Sequence, residues 1–144
     1  EAFEADTTTF GSIGHGYTYS GHPVGCAAGI AALAETRRLK LDENAAARGK
    51  DLAQALAALK AKHALVGDVR GKGLMAALEL VADRDSKKPA DKKTMAKVAD
   101  SAYEAGVMLR VSGNNLILSP PLILTAADVK RIAAGIDAGL SAAG

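Results

Sequence analysis

Leucine residues recur at helical spacing in the first half of the chain. Leu52, Leu56 and Leu59 stand at i, i+4 and i+7, which predicts a helix with one buried stripe. Asn44 is the predicted N-cap of this helix. His63 falls at the end of the same stripe, where a lone histidine is more often structural than a metal or substrate ligand. An alanine-rich helix, residues 23–40, precedes this one.

The last helix has the clearest start signal of the chain. Thr125 is its predicted N-cap, and Asp128 follows three residues later, as in a capping box. Apolar residues then recur at helical spacing: Val129, Ile132, Ile136 and Leu140. A further helix is predicted from about Asp91, with Gly106 as its stop.

Short apolar runs interrupted by glycine predict strands between these helices. Residues 66–69 and 74–81 are predicted strands, and the two glycines of residues 70–73 make either a tight turn or a strand break. Residues 107–111 and 116–119 flank a turn-forming cluster and predict a hairpin. Residues 83–91 are predicted to be a solvated, charged loop. The order of elements predicts an α+β fold, a small, mainly antiparallel sheet covered by helices on one face.

Composition and charge exclude several classes of function. The chain has 144 residues, of which 49% are hydrophobic and 24% charged, as is typical of one modest globular domain. Its net charge is only +2 and both signs are interspersed, so we expect no nucleic-acid-binding face. No apolar run approaches the ~20 residues of a membrane span. The single cysteine, Cys26, excludes an internal disulfide; we expect a packed thiol and a cytoplasmic location.

One candidate for chemistry is the run of residues 15–28, in which glycines, hydroxyls and histidines lead directly into a helix. Backbone N–H groups, the hydroxyls of Thr18 and Ser20 and a helix N-terminus together suit an anion such as phosphate. Pro23 fits the first helical position, because its missing N–H has no intrahelical partner there. An ordinary glycine-rich connector is the alternative interpretation.

A second candidate is Arg110, which interrupts an apolar strand beside a glycine-containing turn. Alternation places Met108, Arg110 and Ser112 on one face of this strand. The guanidinium group matches a carboxylate bidentately, so an arginine held by a strand suits a substrate anchor. The alternative is an exposed arginine on a solvent-facing strand. For Arg70 we expect a solvated or backbone-bonded turn residue rather than an anion site.

Three segments of the chain resemble class III aminotransferases of the ω-amino acid and β-alanine–pyruvate kind. Residues 15–28 are similar to the segment that follows the lysine bound to pyridoxal phosphate (PLP) in these enzymes. Residues 69–81, VRGKGLMAALELV, resemble their "VRGxGLMxxxELV" segment, and residues 107–122 resemble their C-terminal hairpin. The resemblance covers nearly the whole chain and matches the C-terminal third of such an enzyme.

The resemblance implies the C-terminal domain of a fold-type-I, PLP-dependent transferase, with residues 1–40 as the tail of the large cofactor domain plus a connecting helix and residues 41–144 as the small domain. It implies a homodimer with shared active sites, in which Thr18 binds the cofactor phosphate of the partner subunit. Arg110 corresponds to a mobile arginine that clamps the carboxylate of an amino donor or keto acid, and Tyr19 lines the substrate site. No metal is implied.

The resemblance also implies that the catalytic groups lie elsewhere. In the family, the Schiff-base lysine and the acidic partner of the pyridine nitrogen precede the segment matched by residues 15–28, and no lysine of this chain lies in the family's lysine motif. We therefore expect no catalytic residue and no transamination from the isolated chain. The alternative hypothesis is a non-catalytic α+β module for ligand binding or dimerisation.

Overall fold

The computed structural model describes residues 16–144 together with Thr9, Gly11 and Gly14. The candidate residue His15 and the acidic first residues lie outside the described part. The chain divides into two compact units between Arg38 and Leu39.

The first unit contains helix α1 (Pro23–Arg38), which begins at the proline predicted from the sequence. None of its side chains is buried, and Ile30 and Leu33 are exposed. The expectation of a packed thiol at Cys26 is wrong, because Cys26 lies on this uncovered helix and is exposed. Glu35 and Arg38 form an ion pair of 2.6 Å in the last turn.

The second unit follows the predicted order of helix, strands, helix, hairpin and helix. Its elements are α2 (Leu41–Lys62), β1 (Val66–Lys72), β2 (Met75–Asp83), β3 (Lys88–Pro89), α3 (Lys92–Glu104), β4 (Arg110–Ser112), β5 (Asn115–Leu118) and α4 (Ala126–Ala143). The strands form one antiparallel sheet in the order β1-β2-β5-β4, and β3 pairs with the end of β2. The predicted α+β class with a small antiparallel sheet is confirmed.

The core lies between one face of the sheet and helices α2, α3 and α4. It is built from aliphatic side chains of both layers, among them Leu52, Leu56, Leu59, Leu78, Leu80, Met95, Val98, Leu116, Ile136 and Leu140. The predicted stripes of α2 and α4 thus supply the helical side of the core. Strand alternation puts Leu78 and Leu116 into the core and turns Ala77 and Ile117 to the opposite face of the sheet.

Capping groups set the ends of the later helices, and the sequence predicted two of them, the Gly106 stop and the Thr125–Asp128 box. The Asp91 carboxylate accepts a hydrogen bond of 2.8 Å from the Thr94 backbone N–H at the start of α3. Gly106, with φ of +86°, follows the end of this helix. Thr125 and Asp128 form the complete capping box of α4.

The start of α2 differs from the prediction. Asn44 is not the N-cap; the helix begins at Leu41, after Lys40 in the left-handed region with φ of +50°. Asn44 instead uses its side-chain amide to reach another part of the fold, donating to the carbonyls of Leu122 (2.7 Å) and Leu124 (3.0 Å).

The strand boundaries also differ in two places. β1 continues to Lys72, so Arg70 lies in a strand and the turn is reduced to Gly73 and Leu74. β4 begins only at Arg110, while residues 107–109 lead from α3 to the strand without pairing. The predicted loop 83–91 contains the short strand β3 and the N-cap of α3.

Candidate functional site

The segment before α1 forms a compact turn. The Ser20 N–H donates to the Tyr17 carbonyl over 3.0 Å, and the His22 N–H donates to the Tyr19 carbonyl over 3.2 Å. Gly21 adopts φ of +73°, a conformation that glycine reaches without strain. The turn therefore delivers the chain directly to Pro23 and the first turn of α1.

Thr18 and Tyr19 are both presented on this turn with exposed side chains. The first N–H groups of a helix have no intrahelical acceptor, and the helix dipole places partial positive charge at this end. A threonine hydroxyl near such an end suits a phosphate oxygen, which is the chemistry that the PLP phosphate requires. The residues present thus fit a contribution to a phosphate site.

Arg110 opens edge strand β4 in the second unit. It pairs with Ile117 of β5, and its side chain is exposed. Met108 and Ser112 are exposed as well, whereas Leu109 packs against the core, as the alternation predicted. Within the described part of the chain, no carboxylate or other side chain pairs with the Arg110 guanidinium. Arg110 is therefore available to a ligand carboxylate.

The registers of the four main strands place Arg110 in one row with a second arginine. Arg70 pairs with Ala77, Ala77 with Ile117, and Ile117 with Arg110. Cross-strand partners point to the same face of a sheet, so both arginines lie on the face opposite the helices. Three strand spacings separate their backbones by about 14 Å.

Arg70 differs from Arg110 in its partners. Its guanidinium bonds to Glu79 (2.9 Å), Asp68 (3.2 Å) and the Asn115 side-chain oxygen (2.6 Å). The bonds to the two carboxylates, chiefly the one to Glu79 and then the one to Asp68, raise the pKa of Arg70 above its ordinary value. Arg70 is exposed to solvent, as expected, but the expected turn is wrong, because Arg70 lies in β1 and its hydrogen-bond partners are side chains.

The structure brings Thr18 and Tyr19 together on one turn, while Arg110 belongs to the other unit. His63 is mostly buried at the end of α2, and its ring Nε2 lies 2.6 Å from the Asp137 carboxylate, which fits the structural role expected for it. Among the described residues, no group of histidine, cysteine and acidic side chains is arranged to hold a metal ion. No helix in the described part is both long and apolar enough to cross a membrane.

The polar groups that sequence reasoning missed are Asp68, Glu79, Asn114 and Asn115. The sequence feature that points to Asp68 and Glu79 is the alternation of β1 and β2. With the registers known, these two residues and Arg70 lie on the sheet face opposite the leucines. A sequence alone does not give those registers, since the turn between β1 and β2 sets them.

Known proteins with similar sequences and structures are aminotransferases. The profile of the class-III aminotransferase family matches residues 4–140. The diaminobutyrate–2-oxoglutarate transaminase of Halomonas elongata is 41% identical over 138 residues, which are 93% of this chain and 29% of that protein. The taurine–pyruvate aminotransferase of Bilophila wadsworthia is 40% identical over 83% of this chain and 28% of its own length.

Solved structures agree with these relatives. A PLP-bound amine transaminase from an uncultivated Pseudomonas species superimposes with a TM-score of 0.85 and 44% identity, over 92% of this chain and 30% of that one. An (S)-enantioselective ω-transaminase from Thermomicrobium roseum gives a TM-score of 0.82 and 35% identity, over 96% and 31% of the two chains. This chain thus spans about 30% of the length of the proteins it matches. It belongs to the class III aminotransferase family.

Proposed function

We propose that these residues form the C-terminal part of a cytoplasmic, PLP-dependent aminotransferase that moves an amino group from an amine or ω-amino acid to a keto acid such as pyruvate. Residues 1–40 would be the tail of the cofactor domain with a connecting helix, and residues 41–144 the small domain. The observation that carries the proposal is Arg110, an exposed strand arginine that no described side chain neutralises, in a member of this family.

Arg110 has the properties of a carboxylate clamp. Its guanidinium donates two parallel hydrogen bonds to a carboxylate, and this bidentate geometry orients the substrate. The long side chain begins on an edge strand and is not tied by an ion pair to any described residue, so it is free to turn away when the substrate carries an apolar group instead. One residue thereby serves both a keto acid and an amine with an uncharged tail.

Thr18 is proposed to hold the cofactor phosphate from the neighbouring subunit of a homodimer, and Tyr19 to line the substrate site beside it. When bound, PLP supplies the electron sink for the amino-group transfer. The Schiff-base lysine is expected outside these 144 residues, so the isolated chain is expected to be inactive. The exposed turn of residues 17–22 supports this proposal, because it presents polar groups at the start of α1 and contains no lysine.

The first experiment is reductive labelling of the longer polypeptide encoded by the reading frame that contains this chain. Borohydride in the presence of PLP is expected to label one lysine upstream of residue 15. Absence of any labelled lysine would overturn the aminotransferase assignment and favour the non-catalytic module.

The second experiment separates carboxylate binding from the transfer itself. Arg110→Ala is expected to raise KM for β-alanine at least tenfold, the loss of roughly one charged hydrogen bond, and to leave propylamine turnover unchanged. Arg37→Ala, which removes an exposed arginine of α1, is the matched control. Equal loss for both substrates would remove the clamp role.

The third experiment concerns the phosphate. Thr18→Ala is expected to weaken PLP retention about tenfold, and Thr18→Ser, which keeps the hydroxyl, to restore it. Equal retention by all three proteins in equilibrium dialysis would exclude Thr18 from the cofactor site.

A further inference from the structure

We propose that Arg70 is a positioning residue for Arg110: through a polar network across β1, β2 and β5 it holds the β4–β5 hairpin, and with it Arg110, in place on the sheet. The inference rests on the proposed carboxylate role of Arg110. It assigns a function to an arginine whose charge is paired with Asp68 and Glu79, so that it is not itself the substrate anchor.

The network joins three strands through one guanidinium group. Nη1 of Arg70 lies 3.2 Å from Asp68 on its own strand and 2.9 Å from Glu79 on β2. Nη2 donates to the side-chain oxygen of Asn115, the first residue of β5, over 2.6 Å. Lys60 of α2 adds a 3.5 Å ion pair to Asp68. Arg70 therefore ties the start of β5 to β2, its neighbour in the sheet, and to β1 beyond it.

The turn of the hairpin is attached to β2 by a second set of bonds. The Asn114 side-chain amide donates to the Leu80 carbonyl over 2.9 Å, and the Leu80 N–H donates to the Asn114 carbonyl over 2.8 Å. The same amide lies 3.4 Å from Glu79, whose other carboxylate oxygen accepts from Arg70. Glu79 thus links the Arg70 bonds to the turn.

Arg110 depends on this attachment because β4 is a short edge strand. It has three residues, and β5 is the one described strand with which it pairs. The Ser112–Asn115 pair closes the hairpin directly beside the Arg70 bond, and Arg110 lies two residues before Ser112 on the same face. A shift of the start of β5 would therefore move Arg110.

The network also directs negative charge toward Arg110. Both arginines lie in one row on the open face of the sheet, but Asp68 and Glu79 compensate the charge of Arg70. A substrate carboxylate that approaches this face meets Arg70, whose charge is already compensated, at one end of the row. At the other end it meets Arg110, which no described side chain pairs with. The pairing of Arg70 thereby makes Arg110 the preferred anchor.

The first test needs no enzyme activity. In the 144-residue chain, Arg70→Met is expected to speed amide exchange of Leu80, which bonds to the turn, at least tenfold while Ile136 in the core stays unchanged. Arg48→Met, which breaks the 2.7 Å ion pair to Asp51 on α2, is the matched control and should change neither amide. Unchanged exchange at Leu80 would overturn the proposal. Asn115→Ala removes the Arg70–Asn115 bond, together with the 3.3 Å bond from Asn115 to the Asn114 side-chain oxygen, and keeps both ion pairs of Arg70, so it serves where Arg70→Met fails to fold.

The second test uses the longer polypeptide. Asn115→Ala and Arg70→Met are expected to raise KM for β-alanine about tenfold and leave kcat with propylamine unchanged. Arg70→Lys, with one donor group in place of the planar fork, should recover only part of the loss. Equal effects on both substrates would overturn the proposal. If the polypeptide transaminates nothing, the proposed function fails, whereas the exchange test still decides whether the network holds the hairpin.

Discussion

Gly49 of α2 and Gly73 of the β1–β2 turn are in contact: a Cβ atom added to Gly49 would lie 2.6 Å from the Cα atom of Gly73. Real Cβ atoms do not approach backbone atoms so closely, so any side chain at residue 49 would push the helix away from the turn. Gly73 has φ of +57°, which fixes the turn on the other side of the contact.

Gly49→Ala is therefore expected to lower the free energy of unfolding by about 1–3 kcal/mol. At an exposed helical glycine, by contrast, the same substitution raises the free energy of unfolding by about 1 kcal/mol. Urea unfolding followed by circular dichroism measures the difference. Gln54→Ala, an exposed position of the same helix, should stay within about 0.5 kcal/mol of the parent. A stabilised Gly49→Ala protein would contradict the contact.

Asp137 connects the end of α2 to α4 and predicts an acid-sensitive stability. Hydrogen bonds from Lys62 (2.6 Å) and His63 (2.6 Å) hold the pKa of Asp137 below its ordinary value of 3.8. Because the folded-state pKa of Asp137 is lowered, its ionised carboxylate stabilises the fold at pH values above 3.8. This stabilisation is lost as the pH falls from 3.8 toward the lowered pKa. The ion pair thus contributes near neutral pH and disappears in acid.

Asp137→Asn is expected to unfold at a lower temperature than the parent near pH 7, and the two melting temperatures should converge in acid, once Asp137 of the parent is protonated. Asp100→Asn on α3, an exposed carboxylate with no partner among the described residues, is the control and should match the parent at both pH values. A difference between Asp137→Asn and the parent that persists in acid would show that the charge of Asp137 is not its source.

Arg84 caps the end of α2 from a distant loop. Its guanidinium donates to the carbonyls of Lys60, His63 (2.7 Å) and Val66 (3.1 Å). The Lys60 carbonyl lies in the last turn of α2, where carbonyls lack an intrahelical partner, and the His63 carbonyl also accepts from the Val66 N–H over 3.1 Å. Arg84→Met is expected to cost about 2 kcal/mol in urea unfolding, and Arg84→Lys less, because an ammonium group replaces a planar fork. Lys87→Met in the same loop should change little. Equal midpoints for Arg84→Met and Lys87→Met would contradict the cap.

Local signals in the sequence sufficed for the fold class. The leucine spacing of α2 and the Thr125–Asp128 capping box involve residues within one or two helical turns, so periodicity and side-chain type determine them. Arg84 shows where such signals end. It lies in a charged run that predicts a solvated loop, yet its partners are the carbonyls of Lys60 and His63, at least 21 residues away in sequence. Only the folded chain brings these groups together.

The candidate site also combines features that local sequence signals predict with features that only the folded chain shows. Strand alternation is enough to expect Arg110 on the sheet face opposite the core. The sheet registers are needed to see that Arg70 lies in the same row and has carboxylate partners, whereas Arg110 has none among the described residues. Thr18 and Tyr19 lie on an exposed turn, and their roles as cofactor and substrate contacts remain predictions from the family resemblance. Periodicity carries no information about a ligand that another subunit would hold.

Asn44 supplies a last prediction, because its two bonds run from α2 to the segment before α4. Its amide donates to the carbonyls of Leu122 and Leu124, the first of them 78 residues later in sequence. Asn44→Ala removes both donors and is expected to cost about 1–2 kcal/mol in urea unfolding. Asn44→Asp keeps the shape but directs a carboxylate at two carbonyl oxygens, so it should cost more at neutral pH and approach the alanine variant as acid protonates it. An aspartate variant as stable as the parent would mean that shape, rather than donation, holds these segments together.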